Sequence, residues 1–237
     1  MSQVICGDCL KILPTLPRAK TIFADPPDNL GMEYAGFVDR WSSQAAYYDW
    51  LAPRIDSSLC RATVAWWSVY YKHLPWLLWY LDDRGDLDKR LFLWRFAFGQ
   101  HQQRDCGNGY RPILRISEQN MRWNTDAIRI RSARQEQGDP RADPRGRVPD
   151  DVWDFPRVCG NFHERRKWHP NQHPEALIER IVRMSGGPVI DLFGGTFTVQ
   201  RVCDRLGVEC TSIEVSPTYC EHHAREVRGI PPIPTIK

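Results

Sequence analysis

The chain has 237 residues, 42% of them hydrophobic, and a formal net charge of +3. That length and apolar content support one large domain, or a domain with an insertion, and so mild a charge does not by itself indicate a nucleic-acid partner. No apolar stretch approaches a membrane span; residues 66–80 come closest and are broken by Lys72, His73 and Pro75. The N-terminus has no basic region followed by an apolar core, so a cytoplasmic protein with reduced thiols is expected. Of the eight cysteines, Cys6 and Cys9 have CxxC spacing, but no second close pair completes a zinc site and no metal is expected.

In chain order, Val4-Ile5-Cys6 reads as a strand turning at Gly7-Asp8. Residues 10–16 form a short amphipathic piece, and Thr21-Ile22-Phe23-Ala24 a buried strand. Asp25-Pro26-Pro27-Asp28 follows directly. Proline lacks a backbone N–H and fixes φ, so the ladder stops and a rigid loop begins. The Asp25 carboxylate and the Pro26 carbonyl can then face one pocket, which suits an amino group. Residues 43–59 are helical in pattern despite Pro53, 62–69 read as a strand, 74–81 as a helix beginning near Pro75, and 90–98 as an alternating strand. The tryptophans from Trp66 to Trp79 read as core.

Composition shifts at Gly99. From there to residue 168 the chain is rich in Arg, Gly, Asp and Pro, and loops with a few short strands are expected. Arg129, Arg131, Arg134, Arg141, Arg145 and Arg147 are closely spaced, with Asp139 and Asp143 beside them. Two readings stand: a solvated insertion whose charges offset one another, or a surface that grips phosphates. His101 and His163 read as loop residues or phosphate contacts.

From Glu175 the pattern is regular again. A helix ends at Ser185-Gly186-Gly187, Pro188-Val189-Ile190-Asp191 is a short strand, and Gly194-Gly195 makes a tight turn. A helix over 199–206, a strand over 208–213 ending at Glu214, and a last helix from Pro217 follow. This is half of a dinucleotide-type α/β sheet, and an acid at Glu214 can accept hydrogen bonds from two ribose hydroxyls. There is no GxGxxG, so the turn suits a nucleoside better than a pyrophosphate; a tight turn without a ligand is the bland alternative. Residues 230–237 read as a proline-rich tail.

Taken together, these segments resemble a beta-class DNA amino-methyltransferase, the family that modifies adenine N6 or cytosine N4 with S-adenosylmethionine. Ile5-Cys6-Gly7-Asp8-Cys9-Leu10 resembles its opening strand. Asp25-Pro26-Pro27-Asp28-Asn29-Leu30-Gly31 resembles its catalytic loop. Val152-Trp153-Asp154 and Trp168-His169-Pro170-Asn171-Gln172-His173-Pro174 resemble the approach to the helix beside the cofactor. Asp191-Leu192-Phe193-Gly194-Gly195-Thr196 and Glu214 resemble the methionine and ribose sites. Catalytic loop first, recognition segment next and cofactor loop last is the permuted order of that class.

The resemblance implies a Rossmann-like methyltransferase fold with a mostly parallel sheet: a catalytic part over 1–98, an inserted target-recognition region over 99–168, and a cofactor-binding part over 169–229. It implies catalysis by Asp25, Pro26, Pro27 and Asp28. It places the cofactor against Asp8, Cys9, Asp25, His169, Asn171, Gln172, Asp191, Phe193, Gly194, Gly195, Thr196 and Glu214. Candidate DNA contacts are Asn29, Tyr34, Arg104, Arg111, Arg129, Arg131, Arg134, Arg141 and Arg145. Similar enzymes also form dimers and work in the cytoplasm of a bacterium or a phage-infected host.

Three positions depart from the family pattern: Asp28 stands for tyrosine, Asn171 and His173 stand where Thr and Lys are commoner, and Phe197 stands where glycine is frequent. The tyrosine would stack on a flipped base, and Asp28 cannot. Either another aromatic (Tyr34, Phe37 or Trp41) supplies the platform, or Asp28 hydrogen-bonds the base edge, or the enzyme is weak, inactive or specialised for an unusual base. Adenine N6 is preferred because the family's adenine members usually carry Asp before Pro-Pro. Cytosine N4, and a DNA-binding protein with a degenerate catalytic loop, are the alternatives.

Overall fold

The computed structural model describes residues 2–100 and 103–229, the side chains of 97–100 excepted; His101 and the tail 230–237 lie outside the described residues. β1 (Gln3–Cys6) leads to α1 (Cys9–Ile12), which Asp8 caps by accepting the Leu10 N–H at 3.0 Å. β2 (Ala19–Ala24) is almost wholly buried and stops at the two prolines. A small ribbon, β3 (Glu33–Tyr34) and β4 (Phe37–Val38), follows it. α2 (Gln44–Arg61) starts at the Ser43 cap and buries Tyr47, Leu51, Ile55 and Ser58, spaced to share one helix face. β5 (Ala62–Ser68), α3 (Leu74–Tyr80) and the hairpin strands β6 (Leu87–Gln100) and β7 (Asn108–Glu118) come next. α4 (Ala133–Glu136) and β8 (Val152–Asp154) precede the regular C-terminal run. That run is α5 (Glu175–Ser185), β9 (Val189–Asp191), α6 (Thr198–Leu206), β10 (Cys210–Glu214) and α7 (Pro217–Val227).

The main sheet has the order β1-β10-β9-β2-β5-β7-β6-β8. From β1 to β5 the strands run parallel; β7 lies antiparallel between β5 and β6, and β8 is parallel to β6. This is the Rossmann-like arrangement expected from the sequence. The chain leaves β2 for β5 on one side and β9 for β10 on the other. The strand order therefore reverses between β9 and β2, and a crevice opens there at the carboxyl ends of the strands.

One expectation needs correction. The composition boundary at Gly99 is no structural boundary: it falls inside β6, and the next stretch contains β7, a strand of the main sheet paired with β5 from Val64↔Ser117 to Ser68↔Ile113. Its arginines disguised it. Ile113, Leu114 and Ile116 are buried, while Arg115 lies under the surface, paired with Asp88 at 3.0 Å and set 3.8 Å from the Trp123 ring.

Successive strand side chains point to opposite faces, and the adjacent Trp66 and Trp67 of β5 show it. Trp67 packs with Leu13, Leu51, Ile55 and Leu77 on the α2 face. Trp66 packs with Phe92, Trp153 and Leu177 on the α5 face and donates from Nε1 to Ser185 Oγ at 2.9 Å. Trp66→Ala should destabilise the fold by about 3–5 kcal/mol, read as a lower urea midpoint with an unchanged slope.

Candidate active site

Adjacent strands each bring a polar group to the same crevice. Asp8 stands just past β1, Glu214 ends β10, Asp191 ends β9, Asp25 follows β2, Ser68 ends β5, and Arg111 lies near the start of β7.

Asp25 meets two basic groups. Arg111 Nη2 donates to Asp25 Oδ1 at 2.7 Å, and His173 Nδ1 lies 3.3 Å from Oδ2. The same guanidinium holds Asp28, from Nη1 to Oδ2 at 2.7 Å and from Nη2 to Oδ1 at 3.0 Å, and its Nε donates to Ser68 Oγ at 2.7 Å. Ser68 Oγ is 3.0 Å from His173 Nε2. A neutral His173 with its proton on Nδ1 suits both contacts, accepting from the Ser68 hydroxyl at Nε2 and turning its N–H side to Asp25. Burial pushes the His173 pKa below its ordinary value despite the pull of Asp25, which favours that neutral form. For Asp25, burial works upward, but His173 and Arg111 outweigh it and hold the carboxyl below the usual carboxylate range.

Arg111 takes a lone pair on one Asp25 oxygen and His173 stands against the other; a carboxylate offers about four lone pairs, so acceptor capacity remains. Pro26 lines the same cavity, and among the described residues nothing donates to its carbonyl. The Pro27 carbonyl takes the Tyr47 hydroxyl at 2.9 Å, which ties the loop to α2. Asp28 also accepts the Tyr70 N–H at 3.1 Å, and its own carbonyl lies 2.8 Å from His73 Nε2.

At the other side of the crevice, Glu214 accepts the Gly195 N–H at 2.8 Å and the Ser216 N–H at 2.7 Å, which orients the carboxylate and leaves lone pairs over. Asp8 Oδ1 accepts Arg54 Nη2 at 2.9 Å as well as the Leu10 N–H. Asp191 accepts the Phe193 N–H at 3.2 Å. Burial pushes its pKa up to about 8, opposed by that N–H and helped by the charges of Glu214 and Asp25. Cys9 is buried, and burial pushes its thiol up to about 11, so it stays uncharged.

Phe197 explains its own departure from the family pattern. Its backbone is left-handed, φ 57°, the conformation glycine favours. Its ring is fully buried on His223, centroids 4.3 Å apart, and a Cβ on Gly194 would come within 2.8 Å of it. Thr196 is buried with its hydroxyl 2.9 Å from that of Thr198, and the Phe193 ring packs near Trp50 and Trp67. His169, driven down to about 4 by burial, packs its ring 4.7 Å from Tyr219. Asn171 donates to the Tyr34 hydroxyl at 3.4 Å. Gln172 spends its amide on the Arg166 N–H and the Glu164 carbonyl, both at 2.8 Å, and so ties its own loop.

The residues expected at DNA separate into groups. Tyr34 lines the cavity with Phe37 6.1 Å away, whereas Trp41 packs on Tyr47 and Trp50 outside it. Asn29 is left-handed, φ 56°, and accepts the Trp41 N–H at 3.0 Å. Arg129, Arg141 and Arg145 pair with the neighbouring Asp126, Asp139 and Asp143 at 2.6, 2.8 and 3.0 Å. Arg104, Arg131 and Arg134 are exposed without an ion pair among the described residues. Arg111 is corrected most: β7 carries it into the crevice, where two carboxylates hold it, and not onto the outer surface. Ser68 and Tyr70 were not singled out from the sequence, and nothing local marks them; a strand-end serine becomes visible only when β7 lies beside it.

A continuous cavity of about 680 Å³ joins Asp25 to Asp8, Asp191, Gly194 and Glu214, large enough for a cofactor together with a base. S-adenosylmethionine fits these residues. Its positive charges suit a wall of strand-end acids, and the glycine turn admits close approach. Among the described residues, the buried Asp191 carboxyl has one hydrogen-bond donor, a backbone N–H, a position that a bound cation would relieve.

A family model described as DNA methylase, for N6 and N4 methyltransferases, matches residues 19–226. The chain is 30% identical to the DNA adenine methyltransferase YhdJ of Escherichia coli strain K12, over 94% of this chain and 82% of that protein. It is 26% identical to the type II methyltransferase M.ScaI of Streptomyces caespitosus, over 91% and 77%. Among solved structures, the cytosine-N4-specific PvuII DNA methyltransferase superposes with a TM-score of 0.68 at 17% identity, covering 92% of this chain and 83% of that one. The M1.HpyAVI–SAM complex superposes with a TM-score of 0.62 at 16% identity, covering 95% and 100%. These two likenesses speak for the fold. The family match spans most of the chain, and the protein belongs to the N6/N4 DNA methylase family: it is an S-adenosylmethionine-dependent DNA methyltransferase.

Proposed function

We propose that the chain methylates the N6 amino group of adenine in DNA, with Asp25 and the Pro26 carbonyl as the acceptors that hold that group. The observation that carries this reading is an Asp25 carboxylate kept ionised inside the cavity it shares with Asp191 and Glu214. Asp before Pro-Pro and the likeness to a protein named as an adenine methyltransferase favour adenine. Cytosine N4 is the second reading, because its amino group presents the same two N–H donors to the same acceptors.

Bound S-adenosylmethionine supplies an electrophilic sulfonium methyl. An aromatic amino group is a poor nucleophile because its lone pair is delocalised into the ring. Asp25 and the Pro26 carbonyl accept its two N–H groups, which draws the nitrogen towards a tetrahedral shape with a localised lone pair; positioning then supplies much of the rate. After transfer the nitrogen loses a proton. Asp25 can take it, and its low pKa passes it readily to water. Asp8, Asp191, Glu214 and the Gly194-Gly195 turn would hold the cofactor, and His169 and Asn171 line the same cavity. A base inside a duplex cannot reach Asp25 and must be flipped out. Tyr34 and Phe37 offer it a stacking surface, and Arg104, Arg131 and Arg134 are exposed cations available to phosphates.

Asp25→Ala should lower methyl transfer by at least about 10²-fold with DNA affinity nearly unchanged. Nucleoside mass spectrometry of DNA from cells expressing the wild type should show N6-methyladenine; N4-methylcytosine in its place would establish the second reading. Arg131→Ala and Arg134→Ala together should flatten the salt dependence of DNA binding by about 2 in log–log slope, and an unchanged slope would count against those contacts. For Asp191, a folded pKa near 8 lies above the ordinary value of about 3.9. Its contribution to stability is therefore fully present below the ordinary value and lost as pH rises through about 8. In the cofactor-free protein, Asp191→Asn should shrink the fall in Tm between about pH 5 and pH 9, measured by calorimetry.

A further inference from the structure

Building on the catalytic reading of Asp25, we propose that Arg111 is a positioning residue for methyl transfer and that Asp28 is the anchor that aims it, not a reader of the base. The Asp28 carboxylate and the guanidinium meet fork to fork, at 2.7 and 3.0 Å, the geometry that fixes a guanidinium plane. Ser68 Oγ takes Nε at 2.7 Å and closes a third side. Nη2, shared between the two carboxylates, also reaches Asp25 Oδ1 at 2.7 Å. With His173 on Oδ2, both Asp25 oxygens are held, so the direction in which the carboxylate offers its remaining lone pairs is set by residues from two other segments.

Asp28 is tied down in its turn. The Tyr70 N–H holds its carboxylate at 3.1 Å and His73 faces its carbonyl at 2.8 Å. Its side chain is 15% exposed. The residue that replaces the family's tyrosine thus spends its acceptors inside the protein. The pair also settles a charge problem, since two carboxylates in one site cannot both stay ionised without a cation between them.

The titratable groups around Asp25 come from every element that packs on it. They are Arg111 of β7, Asp28 of its own loop, His169 and His173 of the loop before α5, Tyr34 of β3, Tyr47 of α2 and Asp191 of β9. Both histidines are shifted towards the neutral form, both tyrosines are raised by burial, and Asp191 is raised to about 8. Near neutral pH, Arg111 is therefore the positive charge in this group.

The test compares wild type with Arg111→Met, Arg111→Lys, Asp28→Asn and the double variant Asp28→Asn/Arg111→Met. Four readouts are taken: single-turnover methylation of DNA against pH, salt dependence of DNA binding, cofactor binding by calorimetry, and carboxyl NMR titration of Asp25. Arg111→Met should lose about 10²-fold in rate through misplacement of Asp25. The acid limb of its rate profile and the Asp25 titration should both move to higher pH, with cofactor affinity and salt slope unchanged. Arg111→Lys should restore the limb and part of the rate. Adding Asp28→Asn to Arg111→Met should cost nothing further, because the anchor then has nothing to aim. An Arg111→Met enzyme that keeps rate and pH limb but binds DNA with a shallower salt slope would make Arg111 a phosphate contact and overturn the proposal. An Asp28→Asn enzyme with altered base choice would overturn it equally. A wild type that binds cofactor and DNA but transfers no methyl would overturn the reading of the reaction itself.

Discussion

A buried carboxylate that must stay ionised is the constraint on which the rest of this site depends. Asp25 follows a central parallel strand, where burial by itself raises its pKa and works against the ionised form. The fold answers with a guanidinium delivered from the antiparallel side of the sheet and a neutral imidazole delivered from the approach to α5. Neither partner is near Asp25 in sequence, so the state of that carboxylate is a property of the sheet order.

The same logic runs along the crevice. Asp8, Glu214, Asp191 and Asp25 are gathered because parallel strands all end on one edge, and each acid is treated differently there. Asp8 has Arg54, and Glu214 has two backbone N–H groups. Asp25 has Arg111 and His173, while Asp191 has little and rises to about 8. A cationic cofactor fits a wall built in this way.

Much of this could be read from the chain. Asp25-Pro26-Pro27, the Gly194-Gly195 turn and Glu214 are local signals, since each lies where a strand pattern stops, and the helices and parallel strands follow from periodicity. What was misread has one cause. β7 carries Arg111 and Arg115 among its apolar residues, and arginine in a strand reads as surface unless its partners are known. The charged partners, Asp25 and Asp28 for one and Asp88 for the other, lie tens of residues away. Phe197 is similar, because a left-handed backbone at a bulky residue is tolerated only with the room that Gly194 leaves its ring.

The sequence by itself determined the order of the elements, the abrupt end of β2 and the glycine turn, because these depend on neighbours a few residues apart; the class of chemistry followed from the resemblance that the separated segments carry together. The tertiary structure alone decided what Asp28 and Arg111 touch. Asp28 looked free to meet a base and Arg111 free to meet a phosphate. The sheet brings β7 beside β5 and so places the two side chains within 2.7 Å of each other, and a carboxylate and a guanidinium at that distance hold one another before any ligand arrives.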